Sequence, residues 1–214
     1  MKNGCLHSIM AYLVRTTIER RHRIMARYTV GNRILDVGFA GAPNRYLGDD
    51  KHVVGYDAIE AQAIPGYSEI IKGEIGDIGT RLSGRKFDTI LLGEVIEHVE
   101  APYSALRELW RLIDNDGRLI LSTPNPLSLP TLFFEFMGSK RFFYTQYHLY
   151  YFLPRWVERM LSLTGYTLER IVPVGLYLLP IPVPTSLSYM LVYVAKKQSS
   201  AGAPGGIQGY QVSS

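Results

Sequence analysis

The stretch Arg33-Ile34-Leu35-Asp36-Val37-Gly38-Phe39-Ala40-Gly41 constrains the fold more than any other part of the chain. An apolar strand runs straight into a turn of small residues. Such a turn lets a ligand lie against bare backbone, because glycine has no Cβ and tolerates positive φ. A second apolar run, His52-Val53-Val54-Gly55-Tyr56, ends on Asp57. Strand, tight turn, helix and a second strand with a terminal acid is the pattern of the half-unit that binds adenosine in an open α/β sheet. The acid at the second strand's end accepts hydrogen bonds from the ribose hydroxyls.

The turn indicates which nucleotide is meant. A dinucleotide fold calls for G-x-G-x-x-G, whose third glycine permits close helix–strand packing. Here the three positions read Gly38, Ala40 and Pro43. Proline fits that role poorly, so the turn argues against NAD. It suits a cofactor with no pyrophosphate to cradle, such as S-adenosylmethionine.

The rest of the chain continues the alternation. Strands are expected over 33–37, 52–56, 68–71, 87–92 and 117–122, with helical or mixed connections between them. That order implies a parallel sheet with helices on both faces. The run Lys86 to Val99 reads as a strand feeding a helix, and Leu106 to Ile113 is apolar at helical spacing. Asp114-Asn115-Asp116-Gly117 reads as a turn. A further helix is expected over 154–164, with Pro154 at its start and Gly165 just past its end. Tyr166 to Val172 and Tyr189 to Lys196 are the last two strands.

In this order and spacing the chain resembles the class I S-adenosylmethionine-dependent methyltransferases, in the branch of the ubiquinone-biosynthesis O-methyltransferases. The resemblance spans Arg33 to Lys196. It rests on Asp36-Val37-Gly38, Phe87-Asp88, Glu94-Val95-Ile96-Glu97-His98-Val99, Gly117-Arg118-Leu119 and Ser122-Thr123-Pro124-Asn125. It implies a Rossmann-like, seven-stranded, mostly parallel sheet closed by a C-terminal antiparallel hairpin. It also implies methyl transfer to a small-molecule or lipid-linked acceptor, on oxygen. For cofactor binding it points to Asp36, Gly38, Phe39 and Gly41 in the first loop and Asp57 at the ribose. Asp77 and Ile78 would meet the adenine edge, with Glu74-Ile75 readable the same way. Gly93 and Glu94 would meet the methionine end. Ala40 and Ala42 stand where the family usually has glycine. They leave open the alternative of a catalytically inactive partner subunit that still binds the cofactor.

Glu94, Glu97 and His98 are spaced i, i+3 and i+4, and share a face if a helix begins by Glu94. Two carboxylates and an imidazole suit a divalent cation such as Mg²⁺ or Mn²⁺. The pattern also resembles that of the small-RNA 2′-O-methyltransferases, which add a distant histidine, and His148 is the candidate for it. His148 and His98 are also the candidate catalytic residues. General base, metal ligand and structural hydrogen-bond partner all remain open for His148.

Lys2, Arg15, Arg20, Arg21, Arg23, Arg27 and Arg33 precede Ile34, with Glu19 the one acid among them. The net charge of +4 is therefore carried by the N-terminal arm, and the body is slightly acidic. That distribution speaks against a nucleic-acid-binding surface. The arm either meets phosphates or an anionic membrane, or packs its Ile18, Ile24 and Met25 side on the body. The chain divides into a helical basic arm over 1–32, a cofactor-binding domain over 33–198 and a disordered tail over 199–214. The aromatic stretch Pro126 to Tyr147 lies where an acceptor-covering loop is expected. Gly175 to Ser188, rich in proline and leucine, is expected as an apolar loop that touches a membrane, a second copy of the chain or the body itself. One cysteine, Cys5, fits a reducing compartment. With no run of the ~20 apolar residues that span a bilayer and no signal-like leader, a cytoplasmic location is expected.

Overall fold

A computed structural model describes residues 3–136, 148–175 and 184–198. The element order is α1 (Asn3–Arg27), β1 (Arg33–Val37), β2 (His52–Asp57), β3 (Glu69–Lys72), α2 (Ile78–Arg81), β4 (Phe87–Gly93), α3 (Pro102–Leu112), β5 (Ile113–Pro124), α4 (Leu129–Phe136), α5 (Pro154–Leu163), β6 (Tyr166–Pro173) and β7 (Met190–Lys197). The strands form one sheet in the order β3-β2-β1-β4-β5-β7-β6. β1 through β5 pair in parallel, and β7 runs antiparallel to both β5 and β6. β1, β2 and β4 are buried almost throughout, as parallel strands covered on both faces must be.

Two apolar clusters occupy the two faces. Leu35, Val54, Ile90 and Leu119 pack with Ile78 of α2, Leu106 and Leu109 of α3, and Val157 and Leu161 of α5. Ile34, Val53, Leu91 and Val192 pack with Met25 of α1 and Leu47. Helices thus cover both faces, and the C-terminal hairpin sits at the β6 edge.

Several local readings are corrected. No helix joins β1 to β2: residues 38–51 run as turns. Pro43 offers no N–H and disfavours helix in the residue before it, and Gly48 takes φ +85°. Residues 114–117 do not end a turn before β5 but lie inside it as a bulge. Phe87 pairs with Ile113 while Thr89 pairs with Arg118. Arg33 holds the bulge by donating to Asp114 at 2.7 Å. No α-helix starts at Glu94. Ile96–His98 form one 3₁₀ turn, and α3 begins only at Pro102. Within the aromatic stretch the chain forms α4. The rest of that stretch, 137–147, lies outside the described residues, as do 176–183 of the apolar loop and the tail 199–214. Among the described residues no helix is long and apolar enough to cross a membrane.

Candidate functional site

Strand order reverses between β1 and β4, and ligands in open α/β sheets bind at the carboxyl ends beside such a switch. A cleft of about 720 Å³ opens there. Gly38 at the end of β1, Asp57 at the end of β2 and Glu94 just past β4 all line it. Gly38 adopts φ +78°, and a Cβ there would lie 2.1 Å from Val95 Cγ2. The turn therefore needs glycine for its backbone and for its fit. Gly41 also lines the cleft, with nothing within 4 Å of where its Cβ would stand.

At one end of the cleft, Asp57 holds the loop and its own turn. Its Oδ2 accepts from Ala40 N at 2.8 Å and its Oδ1 from Ile59 N at 2.9 Å. Each oxygen keeps a second lone pair, and the residue lines the cleft. The two sequence readings for an adenine-edge pair fall in different places. Glu74 and Ile75 line the cleft, whereas Asp77 is exposed outside its lining and Ile78 is fully buried in the core. The 3₁₀ turn Ile75–Asp77 swings Asp77 outward. Ser104, Ala105 and Glu108 of α3 complete this end.

At the other end α1 lies over Asp36. The inward stripe of α1 is Thr17, Arg21, His22 and Met25, while Ile18 and Ile24 are only half-buried. A helix presents polar side chains inward only where the surface beneath is polar. Here Arg21, His22 and Met25 share a narrow cavity of about 10 Å³ with Asp36, Gly38 and Gly93, room for no more than one water. Phe39 also lines this smaller cavity and not the cleft. Burial pushes the Asp36 carboxyl up to about 6, against the Tyr67 hydrogen bond and the Arg21 charge, which pull it down. Arg21 is only 6% exposed, and its Nε is buried with no hydrogen-bond partner. Sequence reasoning missed Arg21, because one arginine in a basic helix looks like one more solvated charge. Ala40 and Ala42 do not crowd the cleft. Ala40 gives its N–H to Asp57, and Ala42 faces the smaller cavity.

Glu94 begins the stretch beyond β4 at φ +58°, the one non-glycine residue with positive φ among those described. Its N–H donates to Ser122 O, and Ser122 Oγ donates back to its Oε1 at 3.2 Å. Burial raises its carboxyl above the usual range, with Arg21 pulling it down. Burial and the Glu94 charge raise Glu97 well above that range. Glu97 is 1% exposed, and its carboxylate makes no hydrogen bond of good geometry, although Thr123 lies near enough to pull it down. Glu97, His98 and His148 each offer a ligand atom within 4.8 Å of the others. Glu94 does not join this group, because the expected helical face does not form. The His98 and His148 rings meet edge-on at 4.7 Å, and His98 lines the cleft. Burial and His98 push His148 down to about 4. The backbone of Glu97 ties this end together by accepting from Leu149 N and Tyr150 N.

Residues 35–121 match a family described as a methyltransferase domain. Among curated proteins, the chain is 28% identical over 107 residues to a ubiquinone biosynthesis O-methyltransferase of Azorhizobium caulinodans, covering 44% of this chain and 41% of that protein. The chain thus spans about two fifths of the length of the curated relative it matches. Among solved structures, a S-adenosylmethionine-dependent methyltransferase from Thermotoga maritima superposes with a TM-score of 0.69 at 15% identity, over 92% of this chain and 97% of that one. A Burkholderia thailandensis 1,6-didemethyltoxoflavin-N1-methyltransferase, solved with its substrate and S-adenosylhomocysteine, superposes at 0.59 and 16% identity, over 86% and 79%. At such identities the superpositions show the fold alone. The matched segment runs from β1 into β5, so the chain carries a stretch similar to a methyltransferase domain, set in a fold like that of S-adenosylmethionine-dependent methyltransferases.

Proposed function

We propose that this chain transfers a methyl group from S-adenosylmethionine to an oxygen of a small-molecule acceptor. The observation that carries the reading is the pair of opposite charges at the two ends of the site. Asp57 lines the cleft and offers acceptors for vicinal hydroxyls, and Arg21, in the small cavity behind Gly38, offers a buried Nε–H that reaches a carboxylate in the cleft through at most one water. The glycine cradle at Gly38 leaves space that a side chain would fill. When bound, the cofactor supplies an electrophilic methyl on a sulfonium.

The chain's own residues then bind, orient and dehydrate. Methyl displacement needs the acceptor held in line and water excluded more than it needs a strong base. Arg21 and Asp36 would hold the amino-acid end, Asp57 the ribose, and the apolar rim of Ile59, Ile75 and Val99 the adenine. His98 lines the cleft with His148 packed beside it, and the two would meet the acceptor. His148, held neutral by burial, can accept the acceptor's proton at neutral pH. Oxygen as the methylated atom is favoured by the similarity to an O-methyltransferase.

A second reading concerns the triad Glu97, His98 and His148. A carboxylate 1% exposed, with at most a weak contact to Thr123, beside two imidazoles fits a divalent cation. Two nitrogen donors favour Mn²⁺ over Mg²⁺. Such an ion would hold and polarise an acceptor hydroxyl.

Calorimetry with S-adenosylhomocysteine, with and without Mn²⁺ or Mg²⁺, tests both readings. Binding of S-adenosylhomocysteine is expected. No binding at millimolar ligand would sink the methyltransferase reading. Absence of any Mn²⁺ heat, or a heat unchanged in Glu97→Gln, would sink the metal reading alone.

A further inference from the structure

Tyr67 stands outside every motif singled out above. It precedes β3, and its hydroxyl donates to Asp36 Oδ2 at 2.5 Å. The Tyr67 hydroxyl oxygen in turn accepts the N–H of Asn44 at 3.0 Å. Its ring stacks on Phe39, with centroids 5.0 Å apart and planes 29° from parallel. Phe39 in turn lies on Gly55, where a Cβ would stand 2.7 Å from the ring. Phe39 stands near the start of the loop that follows β1, and Asn44 near its middle. One side chain therefore grips the first half of the loop at two points and the carboxylate before it.

We infer that Tyr67 is a positioning residue for cofactor binding: its hydroxyl holds the Asp36 carboxylate, and its ring holds Phe39, in the arrangement the amino-acid end of the cofactor requires. The inference rests on the reading of Asp36 and Arg21 given above. In most tight nucleotide turns, glycines let the backbone close on the ligand by itself. This turn carries Ala40, Ala42 and Pro43, and an external clamp takes over the shaping.

The groups that face Asp36 are few. Arg21 and His22 come from α1, Asp57 from β2, and the Asn44 N–H from the loop. Burial drives Asp36 towards its neutral form. Tyr67 first, then Arg21 and Asn44, favour the anion, and Asp57 opposes it. His22, pushed down to about 4, is neutral wherever Asp36 titrates. An ionised Asp36 binds the cofactor ammonium as an ion pair, directly or through the one water the cavity admits, and a neutral one accepts far more weakly. Loss of the Tyr67 hydroxyl therefore moves the titration of Asp36 upward.

The test is Tyr67→Phe, which keeps the ring on Phe39 and removes the hydroxyl. Dissociation constants for S-adenosylhomocysteine are measured for parent and variant at about pH 8 and about pH 6.5. The variant-to-parent ratio is expected to grow about threefold on acidification, the consequence of a titration raised by roughly one pH unit. A ratio of one at both pH values, or the same weakening at both, would overturn the inference, since a purely structural defect carries no such pH dependence. Failure of the parent to bind would instead strike at the cofactor reading itself.

Discussion

Asp57→Ala is expected to weaken S-adenosylhomocysteine binding by about 2–4 kcal/mol, the worth of two charge-assisted hydrogen bonds. The carboxylate has two tasks. Its outer lone pairs face the cleft, and its inner ones fasten Ala40 N and Ile59 N. Alanine removes the ribose contacts and releases the loop as well. Asp57→Asn separates the two: one side-chain oxygen remains to accept a loop N–H, while the charge is gone. Asparagine should therefore recover part of the melting temperature lost in Asp57→Ala and little of the affinity. Unchanged calorimetric affinity in Asp57→Ala would end the assignment of this residue to the ribose.

Arg21→Met is expected to destabilise the fold by about 3–5 kcal/mol near pH 8, the usual cost of removing one partner from a buried charge group. Methionine fills most of the volume, so the loss is electrostatic. Arg21 lowers the carboxyls of Asp36, Glu94 and Glu97, all three of which burial raises. An acid raised in the folded state keeps a proton that the unfolded chain has lost. Its burial therefore costs stability as pH rises from the unfolded value, and that cost is absent at low pH. For Asp36 the window runs from 3.8 to about 6 in the parent, and the two glutamates extend it upward. Without Arg21 all three titrations move higher. The variant should lose most stability under alkaline conditions and recover most of it near pH 5. Denaturant melts at the two pH values decide this. A loss of equal size at both would mean that Arg21 acts through packing and not through charge.

The strands were legible because burial on both faces demands unbroken apolar runs: Ile34 to Val37, Val53 to Tyr56, Ile90 to Leu92. Gly38 and Asp57 were legible because the strand ends leave few residue types able to serve there. What sequence could not show was set by tertiary contact. The inward stripe of α1 has no apolar periodicity, since its target is an acidic cavity and not a core. The bulge in β5 spells a turn locally, and only Arg33 across the sheet holds it in the strand. Glu74 and Asp77 are equivalent in sequence, and a single 3₁₀ turn chooses between them. Tyr67 lies in a connection between strands, with no pattern around it. Glu94, Glu97 and His98 carry helical spacing but adopt another backbone, so they were assembled only in part.

Glu94 carries one further consequence. A left-handed backbone costs a non-glycine residue about 1–2 kcal/mol, and this one also holds a carboxyl that burial disfavours. Glycine would relieve both. Were stability alone under selection, drift should long since have installed glycine at this position. Under the proposed function the glutamate is kept for the reaction, and a lineage that ceased to need it should shed it early. Glu94→Gly reproduces that decay in one step. The variant should melt no lower than its parent and lose methyl transfer. A clear drop in melting temperature would mean instead that the fold itself depends on the carboxylate.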